Sequence, residues 1–239
     1  MLMLYTDFGW QGPYVGQMKT ALIRSAPGVA IIDLMHDAPV WDPQAAGRLL
    51  WALVARIPPR SVVLGVVDPG VGTPRRGLVA RGGDRWFVGP DNGLFAEVLN
   101  DADARAWMLD LPPDASATFH GRDVFAPAAA NLATGTMPRG VTPVDDWVGR
   151  GEAAEGHRIL YIDRYGNAMT GLSAAEFGDA RAVRVGDLEI ARQRTFADVR
   201  PGQPLSYVNS LGLVEIAVNQ GSAADTLGIA PGDAVERVG

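Results

Sequence analysis

The chain has 239 residues, 47% hydrophobic and 20% charged, with 29 glycines and 17 prolines: enough for one large domain or two modest ones joined by many tight turns. A net charge of −6 with no basic tract excludes a general nucleic-acid binder, and the absence of cysteine excludes disulfides, thiolate metal sites and thiol nucleophiles. Three histidines argue against a His-rich metal centre, and Asp7 interrupts the apolar start too early for a signal peptide or spanning helix, so a cytoplasmic protein with no membrane partner is expected. A buried strand is predicted for residues 1–5, closed by Thr6-Asp7-Phe8-Gly9. Asp7 then stands at a strand's carboxyl end, where a carboxylate either caps the following turn or accepts two hydrogen bonds from a ribose diol. Tyr14, Met18, Ala21 and Leu22 keep a helical period that Pro27-Gly28 stops. Residues 30–34 are a second predicted strand, followed by a loop in which His36 reads as structural. Asp42-Pro43 is a cap followed by a first-turn proline, and its helix runs through Leu49 and Leu53 to Ile57, where Pro58-Pro59 ends it.

The stretch around which the chain is organised covers residues 62–76. An apolar strand, 62–67, runs into Asp68; a Pro69-Gly70 turn follows, then Arg75-Arg76. Strand ends are where open α/β sheets hold their ligands. The spacing lets the Arg75 guanidinium fold back onto the Asp68 carboxylate, a pair that either pins the loop or fixes both groups for chemistry. Residues 78–80 and 86–88 are predicted as a strand pair around Gly82-Gly83. Gly89-Pro90-Asp91-Asn92-Gly93 is a turn-rich loop entering a short helix at 94–99, and Phe119-His120-Gly121-Arg122-Asp123 precedes a helix over 124–132. This alternation predicts an α/β N-terminal domain with a largely parallel sheet over residues 1–142. Residues 143–156, with Pro, Gly and charge but little periodicity, read as a linker. Beyond it, short strands at 158–163, 182–185, 188–191, 205–209, 214–219 and 234–238, with a helical turn at 223–227, predict a small C-terminal all-β, barrel-like domain over 157–239.

Taken together and in order, these stretches resemble the S-adenosylmethionine (SAM) hydrolases, or SAM hydroxide adenosyltransferases, relatives of the SAM-dependent fluorinase and chlorinase. The stretches that carry the resemblance are Thr6-Asp7-Phe8-Gly9 with Tyr14 to Lys19; Val66 to Thr73 with Arg75-Arg76; Val88 to Leu94; Phe119 to Pro127; Asp163-Arg164-Tyr165-Gly166-Asn167; and Asn209-Ser210 with Glu215 to Asn219. The resemblance implies a homotrimer with each ligand site between the N-terminal domain of one subunit and the C-terminal domain of its neighbour. It also implies attack of water on the 5′ carbon of SAM, giving adenosine and methionine with no metal and no cofactor. The family's Asp, Arg and His near the attacking water map onto Asp68, Arg75 and His120. Asp7 matches the carboxylate on the ribose hydroxyls, and Trp41 an aromatic at the ribose and methionine side. Phe196 matches a ring stacked on adenine, though it reads equally as a core residue. Asn167 and Asn219 match residues near the base, and Asp163 and Ser210 groups holding the methionine amine and carboxylate. Two positions depart from the pattern: Gly12 stands where relatives often have a second Asp, and Thr20 where many have Gly.

Two other functions are open to such a chain. One is a SAM-dependent halogenase on the same fold. In that resemblance halogenases carry Tyr at the Asp68 position, and the fluorinase has hydroxyls where this chain has Val71 and Gly121. The other is a non-catalytic binder of adenosine or SAM, for which a water-activating set would be idle. Asp68, Arg75 and His120 favour water, because a carboxylate repels a halide and a guanidinium steadies hydroxide-like charge.

Overall fold

In the computed structural model, which describes residues 1–152 and 157–239, the first strand, β1 (Leu2–Thr6), is buried along its whole length. It sits one strand in from the edge of a seven-stranded sheet in the first of two units, Met1–Ala153 and Ala154–Gly239. β2 (Ile31–Met35), β1, β3 (Val62–Val66) and β5 (Arg85–Pro90) are parallel neighbours. β4 (Gly77–Gly82) pairs antiparallel with β5 and with β6 (Arg105–Leu109), and β7 (Val141–Val144) closes the edge antiparallel to β6. Only β4 and β7 therefore run against the other five strands.

The unbroken apolar runs of β1 and β3 follow from cover on both faces. Helices α1 (Tyr14–Ser25), α2 (Pro43–Val54) and α3 (Ala126–Ala133) supply it. Leu2, Leu4, Val62, Leu64 and Val66 pack with Met18 and Leu22 of α1 and with the alanines of α3. The alternate residues Met3, Tyr5, Val63 and Val67 pack with Ala46 and Leu50 of α2. α2 starts where the sequence places it: the Asp42 carboxylate accepts the Ala45 N–H at 2.9 Å, and Pro43 occupies the first turn.

In the first unit the main differences from the sequence reading are three. The helix expected at 94–99 is a single 3₁₀ turn, Glu97–Leu99. The helix expected from 124 opens one turn earlier, with a π-helical turn over Gly121–Phe125 before α3. β6 and β7 have no counterpart among the predicted strands; a proline inside β7 and the arginine that opens β6 hide them. Residues 143–144 thus lie in β7, and residues 153–156, the end of the expected linker, fall outside the described residues.

In the second unit β8 (Ile159–Ile162), β9 (Ala168–Ser173), β12 (Pro204–Val208) and β13 (Leu213–Val218) form a four-stranded antiparallel sheet in the order β12-β13-β9-β8. β10 (Ala182–Val185), β11 (Leu188–Ala191) and β14 (Glu236–Val238) form a three-stranded one, also antiparallel. Single bridges, Arg192 to Ser206 and Arg158 to Ala234, link the two sheets at their edges. Short helices α4 (Ala174–Phe177) and α5 (Ala223–Leu227) join strands. The core is Ile159, Leu172, Phe177, Val183, Ile190, Val214 and Ile216 with their neighbours. β9, reading Ala-Met-Thr-Gly-Leu-Ser, was not predicted; its propensity is ordinary and its place is set by pairing with β8 and β13. Among the described residues no helix is long and apolar enough to cross a membrane.

One contact in the first sheet allows no side chain. A Cβ on Gly89 of β5 would lie 2.1 Å from the Gly65 carbonyl oxygen of β3. Gly89→Ala is expected to destabilise the protein by about 1–3 kcal/mol through overpacking, seen as a lowered thermal midpoint; an unchanged midpoint would show that β3 and β5 separate freely.

Candidate active site

The carboxyl ends of β1 and β3 lie side by side, Thr6 opposite Val66, so Asp7 and Asp68 leave the sheet together. Their proximity shows in Asp7, whose carboxyl is raised above its ordinary value: burial does most of this, the neighbouring Asp68 charge adds to it, and backbone N–H groups of Trp41 and of Asp7 itself oppose it. Trp41 gives that hydrogen bond from a left-handed backbone, φ +59°, a conformation a bulky residue adopts at some cost, while the residue is 79% exposed.

From Asp68 the chain turns through Pro69-Gly70 and comes back at Arg75. The Arg75 Nε donates to Asp68 Oδ1 at 3.1 Å and Nη2 to Oδ2 at 2.5 Å, a two-pronged fork. Both side chains are nearly dry, 7% and 5% exposed. Nη2 also donates to His120 Nδ1 at 3.1 Å, Nη1 donates to the Arg76 carbonyl at 2.9 Å, and the guanidinium lies 5.2 Å over the Phe125 ring. Gly72, with φ +79°, lets this loop approach the segment before His120; a Cβ there would stand 2.8 Å from the Ala117 carbonyl oxygen. His120 itself opens the π-helical turn, a local form common at functional sites. That turn is braced by Asp123, which accepts the Ser116 N–H at 3.0 Å and the Arg122 fork at 2.6 and 2.8 Å.

A guanidinium only donates, so His120 Nδ1 is the acceptor and the neutral ring carries its proton on Nε2. Burial first, and the Arg75 charge second, hold His120 below its ordinary value, against the pull of Asp68 and Asp123. The other histidine of the first unit, His36, is fully buried between Thr6 Oγ1 at 2.7 Å and Asp33 Oδ1 at 3.0 Å, a fixed strut between β1 and β2.

In the second unit Asp163, Asn167 and Phe196 line a cleft of about 580 Å³ with Tyr165, Tyr207, Val218 and Gln220. Asp163 holds the β8–β9 turn: it accepts the N–H of Tyr165 at 2.8 Å, the N–H of Asn167 at 2.9 Å and the Asn167 side-chain amide at 3.0 Å. The Phe196 and Tyr207 rings stand 5.2 Å apart. Ser210 is exposed in the turn between β12 and β13, off the cleft lining. Asn219 is off it too, its amide donating to the Val199 carbonyl at 2.8 Å. Among the described residues no three His, Asp or Glu side chains are arranged to hold a metal ion.

The model of the SAM hydroxide adenosyltransferase N-terminal domain matches residues 2–142, and that of the C-terminal domain of the same family matches residues 157–236. The chain belongs to the SAM hydroxide adenosyltransferase family. It is 44% identical over 247 residues, covering 95% of both chains, to an (R)-S-adenosyl-L-methionine hydrolase of Thermus thermophilus. A fluorinase of Actinoplanes is more distant, 25% identical over 272 residues with 92% of this chain and 91% of the other covered. Among solved structures, an uncharacterized conserved protein of Thermotoga maritima superposes with a TM-score of 0.88 at 32% identity, over 99% of each chain.

Within this family fold, Asp68, Arg75 and His120 form one hydrogen-bonded group, with Asp7 beside Asp68, and Asp163, Asn167 and Phe196 share one cleft. Ser210 and Asn219 are not gathered with that cleft. Sequence reasoning gave no role to Tyr207 and Glu215. The buried Glu215 carboxylate accepts from the Tyr207 hydroxyl and, at 2.8 Å, from Asn209 Nδ2, and burial with that bond raises the phenol far above its ordinary value. The available signal was an acid inside the apolar run Leu-Val-Glu-Ile-Ala-Val.

A titration of His120 by NMR is expected to fall below 6.5, and to rise toward it in Arg75→Gln. Because the unfolded ring binds its proton first, the stability this ring contributes is complete above 6.5 and declines as pH drops through the folded value. A His120 that titrates unchanged in Arg75→Gln would break the link between the two side chains.

Proposed function

We propose that this chain hydrolyses (R)-S-adenosyl-L-methionine to adenosine and L-methionine by attack of water on the ribose 5′ carbon. The observation that carries the reading is one guanidinium bonded at once to Asp68 and His120 in a dry loop at the carboxyl ends of parallel strands. The name of the Thermus thermophilus relative supports it.

The chemistry suits these groups. The sulfonium is already activated and leaves as a neutral thioether, so no acid is needed. The oxygen–C5′ bond forms as the C5′–sulfur bond breaks, its electron pair goes to sulfur, and one proton is released. Arg75 steadies the hydroxide-like charge that develops on the water. Asp68 keeps lone pairs beyond those the fork uses and takes the proton. His120 has Nδ1 committed to Arg75. It therefore offers an Nε2–H that steadies the water oxygen, and takes a proton only by releasing Arg75. A carboxylate at position 68 disfavours a halide as the nucleophile.

The remaining contacts belong to the same proposal. Asp7 holds the ribose hydroxyls, with Trp41 beside it. Phe196 stacks on adenine and Asn167 meets the base. Asn219 acts through the loop it ties to Val199. Asp163 and Ser210 hold the amino-acid end of the substrate. A homotrimer, and a barrel-like closure of the second unit through its two single bridges, complete the reading.

With SAM in ¹⁸O-water, the label is expected in the 5′ hydroxyl of adenosine and not in methionine; 5′-chloro-5′-deoxyadenosine formed in excess chloride would instead make the chain a halogenase. Arg75→Ala is expected to lower turnover about 10²–10³-fold, and unchanged turnover would remove the guanidinium from the reaction. Phe196→Ala should cost about 1–3 kcal/mol of substrate binding with a smaller effect on turnover; equal affinity would place Phe196 in the core rather than against the base. The solution mass should be three times 25.3 kDa.

A further inference from the structure

We infer that Asp91 and Asn92 are positioning residues that set the Asp68–Arg75 fork from both of its ends. The inference rests on the proposed role of that fork in handling water. Both residues lie in the loop after β5, a motif to which the reaction above gives no part.

Asn92 Nδ2 donates at 2.9 Å to the carbonyl of Val67, the residue directly before Asp68. Its own Oδ1 accepts the Leu94 N–H at 3.3 Å, which fixes the amide's orientation. Asp91 grips the other end. Its Oδ2 accepts from Arg76 Nε at 2.8 Å and lies 2.6 Å from Nη2, and Arg76 directly follows Arg75. The Asp91 N–H donates at 3.0 Å to the Arg76 carbonyl, the same oxygen that accepts from Arg75 Nη1. Where that carbonyl sits therefore decides the plane of the Arg75 guanidinium, and with it the reach of Nη2 toward His120. Asp91 is itself immobilised: it is buried, and its Oδ1 accepts the Val148 N–H at 2.9 Å. Two consecutive residues thus fix the backbone immediately before the carboxylate and immediately after the guanidinium. A displacement of about 1 Å in such a constellation is enough to cost on the order of 10²-fold in rate.

Asp91→Asn keeps the shape of the side chain but weakens its hold on Arg76. Arg76→Lys, at a partly exposed position, keeps the charge and loses the two-pronged contact with Asp91. In both full-length variants kcat is expected to fall about 10–100-fold with KM for SAM nearly unchanged, while the NMR titration of His120 moves up. The groups facing His120 are Arg75, Asp68 and Asp123, and a guanidinium tilted away no longer opposes the imidazolium. The sign is diagnostic for Asp91→Asn, since removing a carboxylate would by its field alone move that titration down. Unchanged kcat and unchanged His120 titration in the folded variants would overturn the inference, as would a loss confined to KM. A raised titration with unchanged turnover would uphold the placement of the fork and remove the fork from the reaction.

Discussion

The first unit depends on a carboxylate and a guanidinium held together almost out of water. Four hydrogen bonds leave the Arg75 guanidinium, two to Asp68, one to His120 and one to the Arg76 carbonyl. Either partner alone would be a charge stranded in a dry loop, a state that costs several kcal/mol, so each enforces the other's position. The arrangement leaves Arg75 no freedom to wander and gives the site a fixed donor array before any substrate arrives, which is the condition under which electrostatic stabilisation of a transition state is largest.

The sheet exists, for this purpose, to bring two carboxyl strand ends together. β1 and β3 are adjacent and parallel, both covered on two faces, and each is followed within two residues by an Asp. A loop then folds back from β3, and a segment about fifty residues later in the chain, braced by Asp123, delivers His120 to the same point. The second unit uses a different device. There a buried acid, Glu215, ties the Tyr207 hydroxyl to Asn209, so that one wall of the aromatic cleft and the turn carrying Ser210 share a single anchor.

Much of the fold is legible in the sequence where an element's residues specify it locally. The apolar runs of β1 and β3, the Asp42-Pro43 start of α2 and the β4–β5 pair around Gly82-Gly83 are of this kind. β6, β7 and β9 are not: they carry arginine, proline or glycine, and they are strands because a neighbouring edge pairs with them. The short helix expected at 94–99 shrinks to a 3₁₀ turn in a segment whose Glu97 is drawn to Arg48 of α2 at 2.8 Å.

By itself the sequence determined which side chains stand at the ends of the central strands and in what order the shared motifs occur, because these are local patterns and matches along the chain. It did not decide the proton's place on His120, the fork of Arg75 on Asp68 rather than on solvent, or the pairing of Glu215 with Tyr207. Those depend on hydrogen bonds, the longest between residues 45 positions apart, whose lengths and angles exist only once the sheet has set the distances. Chemistry at this site is therefore a property of packing as much as of residue type: the same Asp, Arg and His a little further apart would be three separately solvated side chains.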